Sequence, residues 1–288
     1  MRLASSGRNL EIFTTKKELR SWLALSENKH KTVGFVPTMG ALHEGHLSLV
    51  HSAQKQADLV VCSIFVNPKQ FNDPADLEKY PRPVEQDIAK LKAAACDALF
   101  LPEVQEMYGE DEKWHMNLGP LEEVLEGRFR PGHFQGVVHI VKKLFDLVRP
   151  QFAFFGQKDY QQVLVIEKLV KHFRMPVKLV VVPVLREPDG LAMSSRNIHL
   201  SPEEHRQALA LSKALELTKK HFSEKTIPQL KTDAVNFLSK SEGVRLDYFE
   251  ICDAKTLQPA HSKKNKALVA LTAAYIGKTR LIDNIILR

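Results

Sequence analysis

Residues 32–50 read TVGFVPTMGALHEGHLSLV. Thr32 to Val36 is an apolar run of strand length, and a helical pattern follows from about residue 45 to 57. The turn PTMGALHEGH therefore joins the end of a strand to the start of a helix, the edge at which an open parallel sheet binds its ligands. His43 and His46 are three apart, so within a helix their rings share one face at about 5–6 Å. Imidazoles there, beside helix N–H groups that favour anions, can donate to phosphate oxygens. Gly45 between them removes a side chain and lets a flat base or ribose approach the backbone. A zinc protease motif spaces its histidines four apart with a glutamate inside, which HEGH does not match, and no third ligand is evident. The plainer alternative, two ordinary histidines at a helix start, is weakened by their position after a strand and PTMG.

Outward from this turn, short apolar runs alternate with amphipathic segments up to about residue 184, as in an α/β domain with a mostly parallel sheet. Strands are expected at Thr32–Val36, Leu59–Val66, Ala98–Leu101, Phe152–Phe155 and Leu179–Val184, and helices at about 45–57, 84–95, 135–148 and 158–172. Apolar strands such as LVVCSIFV suit a sheet covered on both faces, a Rossmann-like doubly wound architecture. After REPDGLAMSSRN the texture changes to charged helices at about 202–221 and 228–239 and β-prone segments near 246–252 and 267–287. This implies two domains, 1–184 and a smaller α+β domain over 185–288. Asn67 to Pro83 and Asn117 to Gln135, rich in Pro, Gly, Asp and Asn, are expected mainly as surface loops, with one or both able to wall a site.

The 288 residues are 44% hydrophobic and 26% charged, which excludes a disordered or fibrous chain. Leu59–Val66 and Leu179–Leu185 are too short to cross a bilayer and are expected as buried strands. The N-terminal MRLASSGRNLEIFTTKKELR is too polar for a secretory signal, so a cytoplasmic protein is expected. Cys62, Cys96 and Cys252 are widely spaced and odd in number, the pattern of buried thiols rather than disulfides. The net charge of +7 fits a field that attracts anionic small molecules. Without a long basic run, an RNA-binding sheet pattern or zinc-finger spacing, nucleic acid is not expected as the main ligand.

PTMGALHEGH resembles the H-x-G-H signature of the nucleotidyl-transferring α/β superfamily that includes class I aminoacyl-tRNA synthetases. The longer string is similar to the pantothenate synthetase (pantoate–β-alanine ligase) family. SIFVNPKQF at 63–71, YPR at 80–82, RPGHFQGV at 130–137, FFGQKDYQQ at 154–162 and REPDGLAMSSRN at 186–197 follow in order. The resemblance implies ATP-driven condensation of pantoate with β-alanine through a pantoyl-adenylate, in a homodimer whose C-terminal domain closes over the nucleotide. Activation makes chemical sense, because a carboxylate resists amine attack whereas an acyl-adenylate offers AMP as a good leaving group. That first step sets anion against anion, so phosphate charge must be neutralised.

By this resemblance His43, His46, Lys158 and Arg196 are catalytic. Met39, Gly40, Ala41, Leu42, Glu44 and Gly45 then line the nucleotide with the histidines. So do Gly156, Gln157, Lys158 and Asp159 in one segment, and Leu185, Met193, Ser194, Ser195 and Arg196 in another. Lys158 near the start of a helix opposes the helix dipole, which itself points to an anionic ligand. The hydroxyls and guanidinium of MSSRN suit phosphate oxygens, although a Ser-rich turn also caps helices. Gln70 and Gln162 are implied as pantoate ligands, magnesium as the companion of ATP, and Asp87 as its direct or water-mediated ligand. Gln157 stands where the family commonly has Glu, and Lys69 where an apolar or small residue is common. Two rival readings are an adenylyltransferase that releases a stable product and a non-catalytic nucleotide- or RNA-binding protein.

Overall fold

The computed structural model describes residues 9–25, 28–109, 112–264 and 267–288. The first eight residues of the polar N-terminal stretch thus lie outside the described residues. By contacts the chain forms two units: Met1–Leu118 with Arg130–Gly156 and Val165–Val182, and Pro183–Arg288 with Gly119–Phe129 and Gln157–Leu164.

The first unit is built on a six-stranded sheet of β1 (Glu11–Phe13), β2 (Val33–Thr38), β3 (Leu59–Ile64), β4 (Ala98–Phe100), β5 (Phe152–Gly156) and β6 (Lys178–Val182). Its order is β1-β4-β3-β2-β5-β6, and every pairing is parallel. The chain steps outward from β2 through β3 and β4, then crosses to β5 and β6 on the other side. The topological switch therefore falls between β2 and β5, beside the PTMGALHEGH turn.

Alternation along β2 shows why both faces are covered. A Cβ on Gly34 would lie 3.0 Å from the Cβ of Ala57 and 3.2 Å from that of Ala53, so glycine lets the segment after the turn pack closely on one face. The next residue, Phe35, points the other way and meets Phe145 of the helix His133–Val148 edge-on at 6.3 Å. The helix Glu44–Gln54 adds Leu47, Leu49, Val50 and Ala53 to a core with Val36, Val60, Cys62, Leu99 and Phe154. This is the doubly wound α/β class expected.

Three expectations change in detail. β1 is an additional edge strand, paired among the described residues with β4 alone. The apolar run at Leu179–Leu185 is not buried: β6 is the opposite edge, and Val181 is 40% exposed. An apolar run reports strand propensity but not sheet position. The segment Asn67–Pro83 is no plain surface loop, since it holds a 3-10 turn (Pro68–Gln70), the helix Pro74–Lys79 and the buried side chain of Asn67.

In the second unit β7 (Val244–Asp253), β8 (Leu268–Ile276) and β9 (Thr279–Ile286) form an antiparallel sheet in that order. The β-prone span 267–287 is thus a hairpin, turned at Gly277 with φ +54°. The helices Pro202–Lys220 and Ile227–Lys240 begin with capping boxes, Ser201 with Glu204 and Thr226 with Gln229, and pack on the sheet through Leu215, Leu230, Phe249 and Ile251. All three cysteines are buried free thiols, and burial pushes Cys96 and Cys252 up to about 12. No helix among the described residues is long and apolar enough to cross a membrane.

Candidate active site

At the end of β2, Gly40 (φ +85°) and Ala41 (φ +49°) turn the backbone through two left-handed residues, and Leu42 is buried beneath them. His43 then takes the N-cap position of the helix Glu44–Gln54 in extended conformation. Its Nδ1 accepts the Gly45 N–H at 3.1 Å, and the His43 N–H is donated to His46 Nδ1 at 3.4 Å. The two imidazoles therefore build a capping box, a role that Ser/Thr and Glu/Gln usually fill. Their ring centroids are 4.1 Å apart. Since both Nδ1 atoms accept, the network assigns the proton of each neutral ring to Nε2. The N–H of each ring is thus at Nε2, the type of donor that suits a phosphate oxygen.

Asp87, expected as a magnesium ligand, sits behind this turn. It is 1% exposed, its Oδ2 accepts the Ala41 N–H at 2.8 Å, and its Oδ1 accepts the Leu42 N–H at 2.7 Å. Burial pushes its carboxyl above the ordinary carboxylate range, opposed by these two amides and by Lys90. A carboxylate so enclosed, with an amide on each oxygen, does not fit direct ligation of an ion.

Gln70 ends the 3-10 turn Pro68–Gln70 and is buried, with its Nε2 against Met39 Sδ. Its Oε1 accepts from Asn67 Nδ2 at 3.0 Å. Asn67 is 1% exposed and fully satisfied: Nδ2 also donates to the Gly136 carbonyl at 3.0 Å, while Oδ1 accepts from Lys69 N–H at 3.2 Å and Tyr108 hydroxyl at 2.7 Å. Turning the Asn67 amide would set carbonyl against carbonyl, so Gln70 is held with its Oε1 toward Asn67 and its NH₂ group on the Met39 side. The RPGHFQG block braces the same turn, with His133 Nδ1 2.7 Å from the Gln70 carbonyl oxygen. Lys69, unusual for the family resemblance, lays its ammonium 4.3 Å over the Tyr108 ring.

In the second unit Lys158 lies in a 3-10 turn, Gln157–Asp159, rather than inside the helix, which starts at Tyr160. Asn284 fastens this turn, donating from Nδ2 to the carbonyls of Gln157 (3.0 Å) and Lys158 (2.8 Å), while Gln157 Nε2 donates to Asn284 Oδ1 at 3.1 Å. Residues 185–193 fold back on themselves: Met193 N–H donates to the Leu185 carbonyl at 3.0 Å, and Arg186 bridges to Ala192. Arg186 also makes a two-pronged contact to buried Asp283, at 2.7 and 3.1 Å. Burial raises the Asp283 carboxyl, opposed first by Arg186 and also by the charge of Lys158.

MSSRN follows as the capped turn that its serines allow, Ser194 Oγ accepting the Arg196 N–H at 3.2 Å. Asn197 ties it back to Glu187 and to the Ala192 carbonyl at 2.7 and 3.1 Å. Lys158, Ser194, Asn197 and Asp283 line one small recess. Met193, Ser195 and Arg196 are half-buried, and Asp159 is exposed. The two adjacent glutamines part company: Gln161 is buried and bonds to the backbone of Leu121, Val124 and Glu126, whereas Gln162 is half-buried.

Sequence reasoning passed over Asn67, Tyr108 and His133, which shape the Gln70 turn. The asparagine before proline in VNPKQF is a turn-capping signal, but nothing local foretells that it meets residues 108 and 136.

A parallel sheet with paired imidazoles at its switch point defines a nucleotide-binding α/β enzyme. The pantoate-beta-alanine ligase family matches residues 11–286. The pantothenate synthetase of Thermotoga neapolitana is 47% identical over 280 residues, 96% of this chain and 100% of that one. The crystal structure of pantothenate synthetase from Thermus thermophilus superposes with a TM-score of 0.91 at 42% identity, covering 96% and 99% of the two chains. A pantoate-beta-alanine ligase from Francisella tularensis, complexed with beta-gamma ATP and beta-alanine, aligns with a TM-score of 0.79 at 37% identity over 96% and 98%. The chain belongs to the pantoate–β-alanine ligase family and is a ligase that forms an amide bond.

Proposed function

We propose that the ATP-dependent condensation of pantoate with β-alanine by this ligase runs through a pantoyl-adenylate. A pantoate carboxylate oxygen attacks the α-phosphorus, forming the mixed anhydride and releasing pyrophosphate. The amine nitrogen of β-alanine then attacks the acyl carbon, the amide forms as AMP leaves, and the nitrogen gives up its proton. The observation that carries this reading is the reciprocal cap of His43 and His46, which occupies Nδ1 of each ring and so assigns the ring N–H to Nε2. Such donors stabilise charge that develops on the phosphoryl oxygens in the transition state.

Lys158 and Arg196 neutralise phosphate charge, and Gln70 and Gln162 hold the oxygens of pantoate without adding a charge of their own. The segments around Met39–Glu44, Gly156–Asp159, Leu185 and Met193–Ser195 contact ATP. Magnesium arrives with the nucleotide, bound to its phosphates and to water rather than to Asp87. The enzyme works as a cytoplasmic homodimer on small-molecule substrates. Membership of a ligase family favours this reading over a product-releasing adenylyltransferase or a non-catalytic binder.

The test is a rapid-quench measurement with pantoate, ATP and magnesium but no β-alanine. About one pyrophosphate per active site is expected, with labelled pyrophosphate exchanging into ATP, because an enclosed site protects the adenylate from water. Lys158→Ala should suppress the burst. A first product that appears only with all three substrates present would exclude the stepwise path.

A further inference from the structure

One helix, Val84–Ala93, grips the peptide that leads into His43 from both sides. Asp87 takes the N–H groups of Ala41 and Leu42, at 2.8 and 2.7 Å. Lys90, nearly one turn further on, donates from Nζ to the carbonyl oxygen of Leu42. The held residues are the strained ones. Ala41 lies at φ +49°, a left-handed conformation that a side chain disfavours, and it follows Gly40 at φ +85°. Such a backbone persists only where its surroundings over-determine it, and strain of this kind gathers at functional sites. A carboxylate accepting two consecutive amides is a strong restraint, because charge-assisted hydrogen bonds are roughly twice as strong as neutral ones.

The consequence runs along the chain in a single step. Leu42 is followed by His43, whose ring caps the helix by accepting the Gly45 N–H and whose own backbone N–H is donated to the His46 ring. A change in the direction of the Ala41–Leu42 peptide therefore moves both imidazoles together. We infer that Asp87 is a positioning residue for His43 and His46, with Lys90 as its helper, and not a ligand of the magnesium that accompanies ATP. This rests on the catalytic reading of the two histidines proposed for the ligase reaction. The burial and double amide contact of Asp87, which disqualify it as a metal ligand, are the features that suit it to this role.

Asp87→Asn puts an NH₂ group against one of the two amides while keeping the shape of the side chain. Single-turnover adenylate formation should fall by about 10- to 100-fold, the scale of misplacing a reacting group by an ångström or so. The ATP dissociation constant and the magnesium concentration at half-saturation should stay within about twofold. Adding Ala41→Gly, which lets the turn adopt its left-handed form without restraint, should recover about fivefold in rate. A lost metal ligand would not be rescued by a glycine at 41. If Asp87→Asn fails to fold, Lys90→Met keeps the carboxylate and removes only the hold on Leu42; a fall of about threefold to tenfold is expected, again with no metal shift.

A half-saturating magnesium concentration raised tenfold or more, with the rate restored at high metal, would overturn the inference. So would adenylate formation at the normal rate in Asp87→Asn or in Lys90→Met, or a slow Asp87→Asn enzyme that Ala41→Gly does not quicken. His43→Ala separates the two levels. If it leaves adenylation intact, the reading of the histidines has failed; if it abolishes adenylation while Asp87→Asn does not slow it, only the inference about Asp87 has failed.

Discussion

Gly136 packs so tightly against Lys69 that a Cβ added to it would lie 2.2 Å from the Lys69 carbonyl oxygen. No rotamer relieves such a contact, because both partners are backbone. The helix His133–Val148 thereby touches the turn Pro68–Gln70 directly, and the Gly136 carbonyl holds Asn67, which in turn orients Gln70.

Gly136→Ala should therefore displace the Gln70 turn. The expected result is a pantoate KM raised by about tenfold or more, with a loss of stability of about 1–3 kcal/mol from overpacking. Steady-state kinetics and urea unfolding check this together. A variant with unchanged pantoate KM would show that the turn carrying Gln70 does not bind the acid.

Arg280 anchors the segment Gly119–Phe129 within the second unit. Its guanidinium meets both oxygens of Glu126 at 2.8 Å and Asp247 at 2.7 Å, and the Tyr248 hydroxyl donates to Glu126 at 3.0 Å. Glu126 is 7% exposed, so removing the cation strands a buried carboxylate. Arg280→Met should cost about 3–5 kcal/mol in urea unfolding. Arg280→Lys, which keeps the charge but not the planar fork, should fall between. A loss below about 1 kcal/mol for Arg280→Met would mean that water reaches the site and replaces the pair.

Much of this was legible in the residues, and the limits have physical causes. The strand and helix flanking PTMGALHEGH announce themselves by apolar period, because both are buried on the sheet. β1 does not, since three residues at an edge carry too little pattern. β6 looks like a core strand because side-chain type sets strand propensity, while its place at the edge is set by the chain's return across the sheet. Asp87 lies 46 residues from Ala41, and no local rule says that a carboxylate in one helix will take the amides of a turn in another part of the chain. Gln161 and Gln162 are identical in type and adjacent, so only the packing of their helix tells the structural amide from the half-exposed one.

The reciprocal cap of His43 and His46 gives a way to separate their structural and catalytic roles. In each ring Nδ1 serves the fold by accepting a backbone N–H, and the catalytic role proposed here falls to Nε2. Asparagine at an N-cap and glutamine three residues later can accept the same two backbone N–H groups, since Asn caps well and Gln completes an ordinary capping box. Neither puts an N–H where Nε2 stood. His43→Asn and His46→Gln should therefore keep the thermal midpoint close to that of the parent while adenylate formation falls by about 10²–10³, the usual loss for one donor aimed at developing charge. His43→Ala should show the same fall in rate and also lose about 0.5–2 kcal/mol of stability with the missing cap. ATP binding should weaken little in all three variants, because a donor that acts mainly in the transition state contributes little to ground-state affinity. Rapid-quench kinetics, calorimetric binding of ATP and thermal unfolding give the three readouts. Adenylation within about tenfold of the parent in His43→Asn would move the catalytic role away from Nε2. An unstable His43→Asn would instead show that the ring, and not its acceptor, holds the turn.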